Sequence, residues 1–192
     1  NNTMSIRMVP IGTTFTSFKR LVHDLSAELG KKVELVAEGG ETELDKTVIE
    51  KLNDPLVHII RNSLDHGIET PEERKEHGKS ETGTIRLSAS QNGALVYVQI
   101  EDDGHGLDSD KIRSKAIARG IIGPDDNLSE QDLHRLIFAP GFSTKDAVTE
   151  VSGRGVGMDV VNRQMEMING SVDVESSLGV YTQITLKIPL TL

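Results

Sequence analysis

Cysteine is absent from all 192 residues, which excludes disulfides, thiolate metal centres and cysteine nucleophiles and suits a cytoplasmic protein. Aromatic side chains make up only 3% of the chain and tryptophan is missing, so a core must be built mainly from leucine, isoleucine, valine and methionine. No apolar run approaches the roughly 20 residues of a membrane span, and no signal peptide is visible. Positive charge is in deficit, with 21 basic against 30 acidic residues and a net charge of -9. That balance argues against a nucleic-acid surface driven by bulk charge and leaves room for a local basic site that takes a polyphosphate. No G-x-x-x-x-G-K-[ST] phosphate loop occurs anywhere.

What is present is compatible with one packed domain: 36% hydrophobic and 27% charged residues. The chain begins inside a polar-to-apolar pattern and stops on PLTL directly after a strand-like run. Both ends therefore predict a domain excised from a larger protein. Helical spacing of Phe15, Phe18, Leu21, Val22, Leu25 and Leu29 predicts a helix over 13–29, with threonines as candidate caps and Gly30 as its stop. Val33 to Ala37 reads as a strand and Gly39 to Asp45 as a turn. A second 3.6-residue period runs from Leu44 to Gly67, with Pro55 placed to kink or split it. Residues 84–91 and 94–101 alternate around Asn92-Gly93, the signature of a hairpin. Helices are predicted over 109–119, over 129–138 with Ser129 as cap, and over 156–168 with Gly170 as stop. Strands follow at 171–176 and 181–188. Residues 139–154 lack periodicity and read as a long loop, a candidate lid. Runs of helix and hairpin-linked strands predict an α+β sandwich, a mostly antiparallel sheet covered by helices.

Three polar, glycine-rich blocks stand out: HIIRNSLDHG (58–67), EDDGHG (101–106) and SGRGVGMD (152–159). Spacing puts His58, Asn62 and His66 on one stripe of a helix. The Asn62 carbonyl oxygen suits Mg²⁺, which prefers oxygen ligands and keeps several waters. Zinc held by His58 and His66 fails on distance, since eight residues span about 12 Å of helix. Asp102, at a strand end before Gly104 and Gly106, can accept a hydrogen bond from an exocyclic amine while the glycines admit a ring; a solvated acidic turn is the plain alternative. Gly153, Gly155 and Gly157 open a helix whose free N–H groups suit phosphate, although such loops also serve packing. Lys111, Lys115 and Lys145 could neutralise a triphosphate or simply be surface lysines.

Jointly the blocks resemble the N, G1 and G2 boxes of the GHKL ATPase superfamily, which comprises DNA gyrase, heat-shock chaperone, mismatch-repair and histidine kinase ATPases. With HxxRNSLDHGIE from His58, FAPGFSTK (138–145) and EVSGRGVGMDVV (150–161), the chain is similar to the ATP-binding catalytic domain of chemotaxis histidine kinases. The resemblance implies a two-layer GHKL (Bergerat) sandwich spanning 1–192, with 1–8 the end of a dimerisation segment and 189–192 a junction to a regulatory domain. It implies ATP and Mg²⁺ as cofactors: Asp102 on the adenine amine, Gly104 and Gly106 shaping the turn, and Asn62 holding the metal. It places His58, His66, Lys111, Lys115 and Lys145 towards the phosphates, Gly153, Gly155 and Gly157 at the lid hinge, and Phe138, Ser143 and Thr144 in the lid. His105 stands where this family often has arginine. The implied reaction moves the γ-phosphoryl of ATP to a histidine on a separate phosphotransfer domain. The implied partners are a dimerisation domain, a regulatory domain, a coupling adaptor, chemoreceptors and response regulators, with no nucleic acid and no membrane insertion. The isolated fragment is expected to be a monomer. A gyrase- or chaperone-type ATPase would place a glutamate base on the His58, Asn62 and His66 stripe, and none is there. A non-catalytic nucleotide sensor is the remaining alternative.

Overall fold

In the computed structural model, which describes residues 7–142 and 157–191, the chain opens with a short strand, Met8–Pro10 (β1), and a helix, Gly12–Glu28 (α1). The α1 face bearing Phe15, Phe18 and Val22 is buried, as its period predicts. Ile11, rather than a threonine, stands at the N-cap, with no side-chain capping bond. The stop is the expected glycine: Gly30 has φ +69, and the Lys31 N–H reaches back to the Ser26 carbonyl at 2.8 Å. A Cβ on Gly30 would meet nothing within 4 Å. Gly30→Ala is therefore expected to cost only about 1 kcal/mol, from backbone strain alone, measured by urea unfolding.

Lys32–Glu38 (β2) comes next. The stretch expected to be a plain turn also holds Glu43–Asp45 (β3), antiparallel to β1. Three-residue strands are too short to show a period. Asp45 caps Lys46–Asn62 (α2), accepting from the Thr47 N–H at 2.9 Å. This helix runs through the buried Pro55 without splitting. Ser63–Gly67 then forms one wide turn in which the Ile68 N–H donates to the Ser63 carbonyl, five residues back, at 2.8 Å. Pro71–Glu76 (α3) is not among the expected helices, although its signature is local: Thr70 and Glu73 form a reciprocal capping box, with Pro71 first in the helix.

Thr82–Asn92 (β4) and Leu95–Asp102 (β5) are the predicted hairpin, with the turn one residue later than expected, at Gly93-Ala94. Gly93 has φ +65 and Ala94 does not, the pattern of a turn that needs glycine in its first central position. Ser109–Ala118 (α4) is capped by Asp108, and Glu130–Arg135 (α5) by Ser129 as predicted, ending in a single 3₁₀ turn, Leu136–Phe138. Met158–Glu166 (α6) leads to Ser171–Ser177 (β6) and Tyr181–Pro189 (β7). Beyond α6 the left-handed residue is Asn169 (φ 58), not Gly170. Gly170 is required for space instead, since a Cβ there would lie 2.6 Å from the Lys187 carbonyl oxygen.

The sheet order is β2-β4-β5-β7-β6. The β2–β4 pair is parallel, connected over α2 and α3, and the other three pairs are antiparallel. One face carries Ile85, Leu87, Val96, Val98, Ile100, Ile184, Leu186 and Ile188, all buried in one core with the inner faces of α1, α2 and α6. The other face presents Arg86, Gln99, Glu101, Thr185 and Lys187. The predicted helix-covered, mostly antiparallel sandwich is therefore the observed architecture. Among the described residues no helix is long and apolar enough to cross a membrane.

Candidate functional site

Asp102 is the last residue of β5, in register with Ile85 on β4 and Thr182 on β7, so three central strands fix its position. Inward alternation along β5 aims its carboxyl into the layer between sheet and helices, where it is 3% exposed. A carboxylate there needs donors. The Gly104 N–H supplies one at 3.0 Å and the Ser63 hydroxyl another. Burial nevertheless dominates and pushes the carboxyl up to about 6, aided by Asp103 and opposed by the two donors and His105.

A cleft open to solvent lies over this group. Asn62, Ser63, His66 and Gly67 wall it from the first block, and Asp102, His105, Gly106 and Leu107 from the second. Apolar surface comes from Ile59, Ile137, Met158 and Ile184, and Thr182 sits beside Asp102. One carboxylate among apolar walls suits a flat heterocycle bearing an amine.

His58 and Asn62 share one stripe of the regular helix α2, and the wide turn at 63–67 follows them. Asn62 and His66 both line the cleft, whereas His58, in the regular part of α2, is half-buried and outside the lining. A turn that closes on the fifth residue rotates the succeeding side chains relative to the α-helical phase. It also aims Ser63 at Asp102 and brings Gly67 against the second block. The Lys31 ammonium donates to the Leu64 and Asp65 carbonyls of this turn, at 2.6 and 3.0 Å.

Gly104 and Gly106 are needed for close contacts between loops, and Gly106 also lines the cleft. A Cβ on Gly104 would lie 2.1 Å from the Gly67 carbonyl oxygen, and one on Gly106 (φ +73) 2.4 Å from that of Ser177. His105 ties the same loops: its N–H donates to the Gly67 carbonyl at 3.0 Å, and its ring nitrogens contact the Gly106 and His66 carbonyl oxygens. Gly104→Ala is expected to destabilise the protein by about 3 kcal/mol or more, well beyond Gly30→Ala, because two backbones must separate. Parallel urea titrations of the two variants check that order.

Other expected site residues fall elsewhere. Phe138 is buried in the main core, and its neighbour Ile137 reaches the cleft instead. Lys111 and Lys115 lie outside the lining, and the Lys115 ammonium rests 4.9 Å from the Phe142 ring centroid. Gly157 is buried, with extended dihedrals, as the N-cap of α6, directly before the cleft residue Met158. Ser143, Thr144, Lys145, Gly153 and Gly155 lie outside the described residues. Ser63, Gly67, Leu107 and Thr182 are cleft residues that no sequence pattern singled out. Gly67 and Ser63 lie inside the first motif, so their position in the chain was a usable signal, while Thr182 is brought in only by strand register.

The fold and this strand-end carboxylate define a class. Residues 51–192 match the family described as histidine kinase-, DNA gyrase B-, and HSP90-like ATPase, and the chain belongs to it. Within that family it is 52% identical over 191 residues to the sensor histidine kinase CheAY of Helicobacter pylori, covering 98% of this chain and 24% of that protein. It is 49% identical over 191 residues to the chemotaxis protein CheA of Bacillus subtilis, covering 98% of this chain and 28% of that protein. The chain thus spans about a quarter of the length of these relatives. Among solved structures, the catalytic domain of histidine kinase ThkA superposes with a TM-score of 0.61 at 12% identity, covering 98% of this chain and 97% of that one, a likeness of fold.

Proposed function

We propose that the cleft binds Mg-ATP and that the domain is the catalytic unit of a cytoplasmic chemotaxis histidine kinase, passing the γ-phosphoryl to a histidine on a separate phosphotransfer domain of the same protein. The observation that carries this reading is the buried Asp102 carboxylate, fixed by three strands and two donors at the floor of an apolar cleft. It accepts the adenine amine while Ile59, Ile184 and Met158 pack against the ring. ATP use accords with the family, and chemotaxis with the names of relatives about half identical over nearly the whole chain.

Asn62 fits a magnesium ligand. Its side chain is exposed on the cleft wall, and no described residue hydrogen-bonds to it. No cluster of three or more His, Asp or Glu able to cage a metal exists among the described residues, which suits an ion that takes one protein oxygen and otherwise water and phosphate. When bound, the ion neutralises phosphate charge. On this reading His66 faces the phosphates across the wide turn, with His58 one turn behind Asn62. Lys111 and Lys115 are proposed to serve the phosphates, and the lid roles read from the sequence for Phe138, Ser143, Thr144, Lys145, Gly153, Gly155 and Gly157 are kept as part of this proposal. The phosphotransfer, dimerisation and regulatory domains, the coupling adaptor, the chemoreceptors and the response regulators belong to the longer protein and its pathway.

Incubation with γ-labelled ATP and an added histidine phosphotransfer domain tests the assignment. The kinase reading predicts magnesium-dependent labelling of that domain's histidine. Free phosphate without labelled histidine would mark a conformational ATPase, and tight binding with neither product a nucleotide sensor.

A further inference from the structure

Behind the adenine-reading loop lies an ion cluster that no assigned role uses. Arg74, on α3, is 2% exposed, a burial arginine tolerates only when paired. Its guanidinium donates to Glu69 Oε1 at 3.0 Å, Asp103 Oδ2 at 3.2 Å, the Asp103 carbonyl at 3.0 Å and the Ser80 carbonyl at 2.5 Å. Lys79 donates to Glu69 Oε2 at 2.7 Å, the Asp103 carbonyl at 3.2 Å and the Gly104 carbonyl at 2.8 Å. The other Asp103 carboxyl oxygen accepts the Thr84 N–H at 2.8 Å. The Glu69 carboxyl is raised by burial, yet the Lys79 bond, its own backbone N–H and the two cations bring it below the usual carboxylate value. The cluster is therefore charged and fully engaged.

Its contacts fall on two consecutive peptide planes. In a trans peptide the C=O of one residue and the N–H of the next point in opposite directions from one rigid plane. No cis peptide is present among the described residues. The Asp103 carbonyl, held by Arg74 and Lys79, shares its plane with the Gly104 N–H, which donates to Asp102 at 3.0 Å. The Gly104 carbonyl, held by Lys79, shares its plane with the His105 N–H, which donates to the Gly67 carbonyl at 3.0 Å. Each plane thus has cations on its oxygen side and delivers its N–H into the site. Gripping the oxygens fixes where those N–H groups point, and both orient Asp102 and the wall formed by Gly67.

We propose that Lys79 and Arg74, anchored by Glu69, are positioning residues for base recognition: they aim the Asp102 carboxyl through the 103–104 and 104–105 peptide planes and so set the preference for adenine. This rests on the adenine reading of Asp102. The role belongs to side chains on α3 and its following loop, which are not themselves among the cleft-lining residues.

The test uses Lys79→Met, which keeps the methylene packing of a side chain 18% exposed, with Lys79→Arg as the conservative variant. Two readouts are taken: amide exchange of Gly104 and His105 without nucleotide, and the ratio of dissociation constants for ADP and IDP, which differ at the exocyclic group. Expected for Lys79→Met are exchange at both amides faster by about tenfold and an ADP preference reduced by about tenfold, the effect of one charged hydrogen bond. Lys79→Arg should hold both near wild type. Folded Lys79→Met with unchanged exchange, or with ADP and IDP weakened equally, overturns the proposal. Lys79→Gln gives the same readouts should the Met variant not fold. Asp102→Asn with an unchanged ADP to IDP ratio would instead overturn the adenine reading, and the exchange arm would still decide whether Lys79 orients the loop.

Discussion

Asn62→Ala is expected to reduce phosphoryl transfer to an added phosphotransfer domain by two orders of magnitude or more, while ADP binding without magnesium stays within about twofold of wild type. The split reflects where the residue sits. Asn62 is the last residue of α2, exposed at the mouth of the cleft, and Asp102 lies buried at its floor. Removing the amide takes nothing from the core and nothing from the base pocket, so folding and base binding should survive. What is lost is the protein oxygen proposed for the ion, and phosphoryl transfer depends on charge neutralisation and positioning more than on any other protein contribution. Single-turnover transfer with labelled ATP, beside ADP titrations in chelator, separates the two effects. Wild-type transfer by Asn62→Ala would remove the metal assignment.

Asp102→Asn should weaken ATP by about a hundredfold and at the same time make the nucleotide-free protein more stable at neutral pH. The loss arises because the amide presents a weaker acceptor to the adenine amine and a repelling NH₂ in one of its two orientations. The gain arises because burial penalises the charge. The folded-state value of about 6 lies above the ordinary 3.8, so the folded protein holds the Asp102 proton more tightly than the unfolded chain does. The wild type is therefore free of the penalty below 3.8, loses stability as pH rises from 3.8 towards 6, and carries the full cost above 6. A shift of that size corresponds to an order of 2–3 kcal/mol. Asparagine carries no charge at any pH, so the variant should surpass wild type in urea at about pH 7.5 and match it near pH 3.5. An equal difference at both pH values would place its cause in packing rather than ionisation.

Much of this site was legible in the chain because its parts are local. An apolar alternating run ending in EDDGHG puts a carboxylate at a strand end, and β5 delivers it there. The period from Leu44 onwards yields α2, and Gly30 stops α1 as its position predicts. The hidden parts depend on phase or on distant pairing. The wide turn at 63–67 shifts His66 relative to His58, and no residue type announces it. Thr182 enters only because β7 pairs with β5, 80 residues earlier in the chain at that point. Phe138 went to the core and Ile137 to the cleft, a one-residue phase difference that a 3₁₀ turn produces. The two glycines of the second block also pack against the backbones of Gly67 and Ser177, contacts between distant loops that no local pattern shows. The Thr70-Pro71 start of α3 was a readable local signal, whereas the engagement of Arg74 and Lys79 with the Asp103–Gly104 backbone was not.

The most direct measurement is a crystal structure of the domain with a non-hydrolysable Mg-ATP analogue. The account predicts the adenine between Ile59, Ile184 and Met158, its exocyclic nitrogen within about 3 Å of an Asp102 carboxyl oxygen, and the metal on the Asn62 carbonyl oxygen. A nucleotide bound outside this cleft, or an adenine whose amine points away from Asp102, would contradict it.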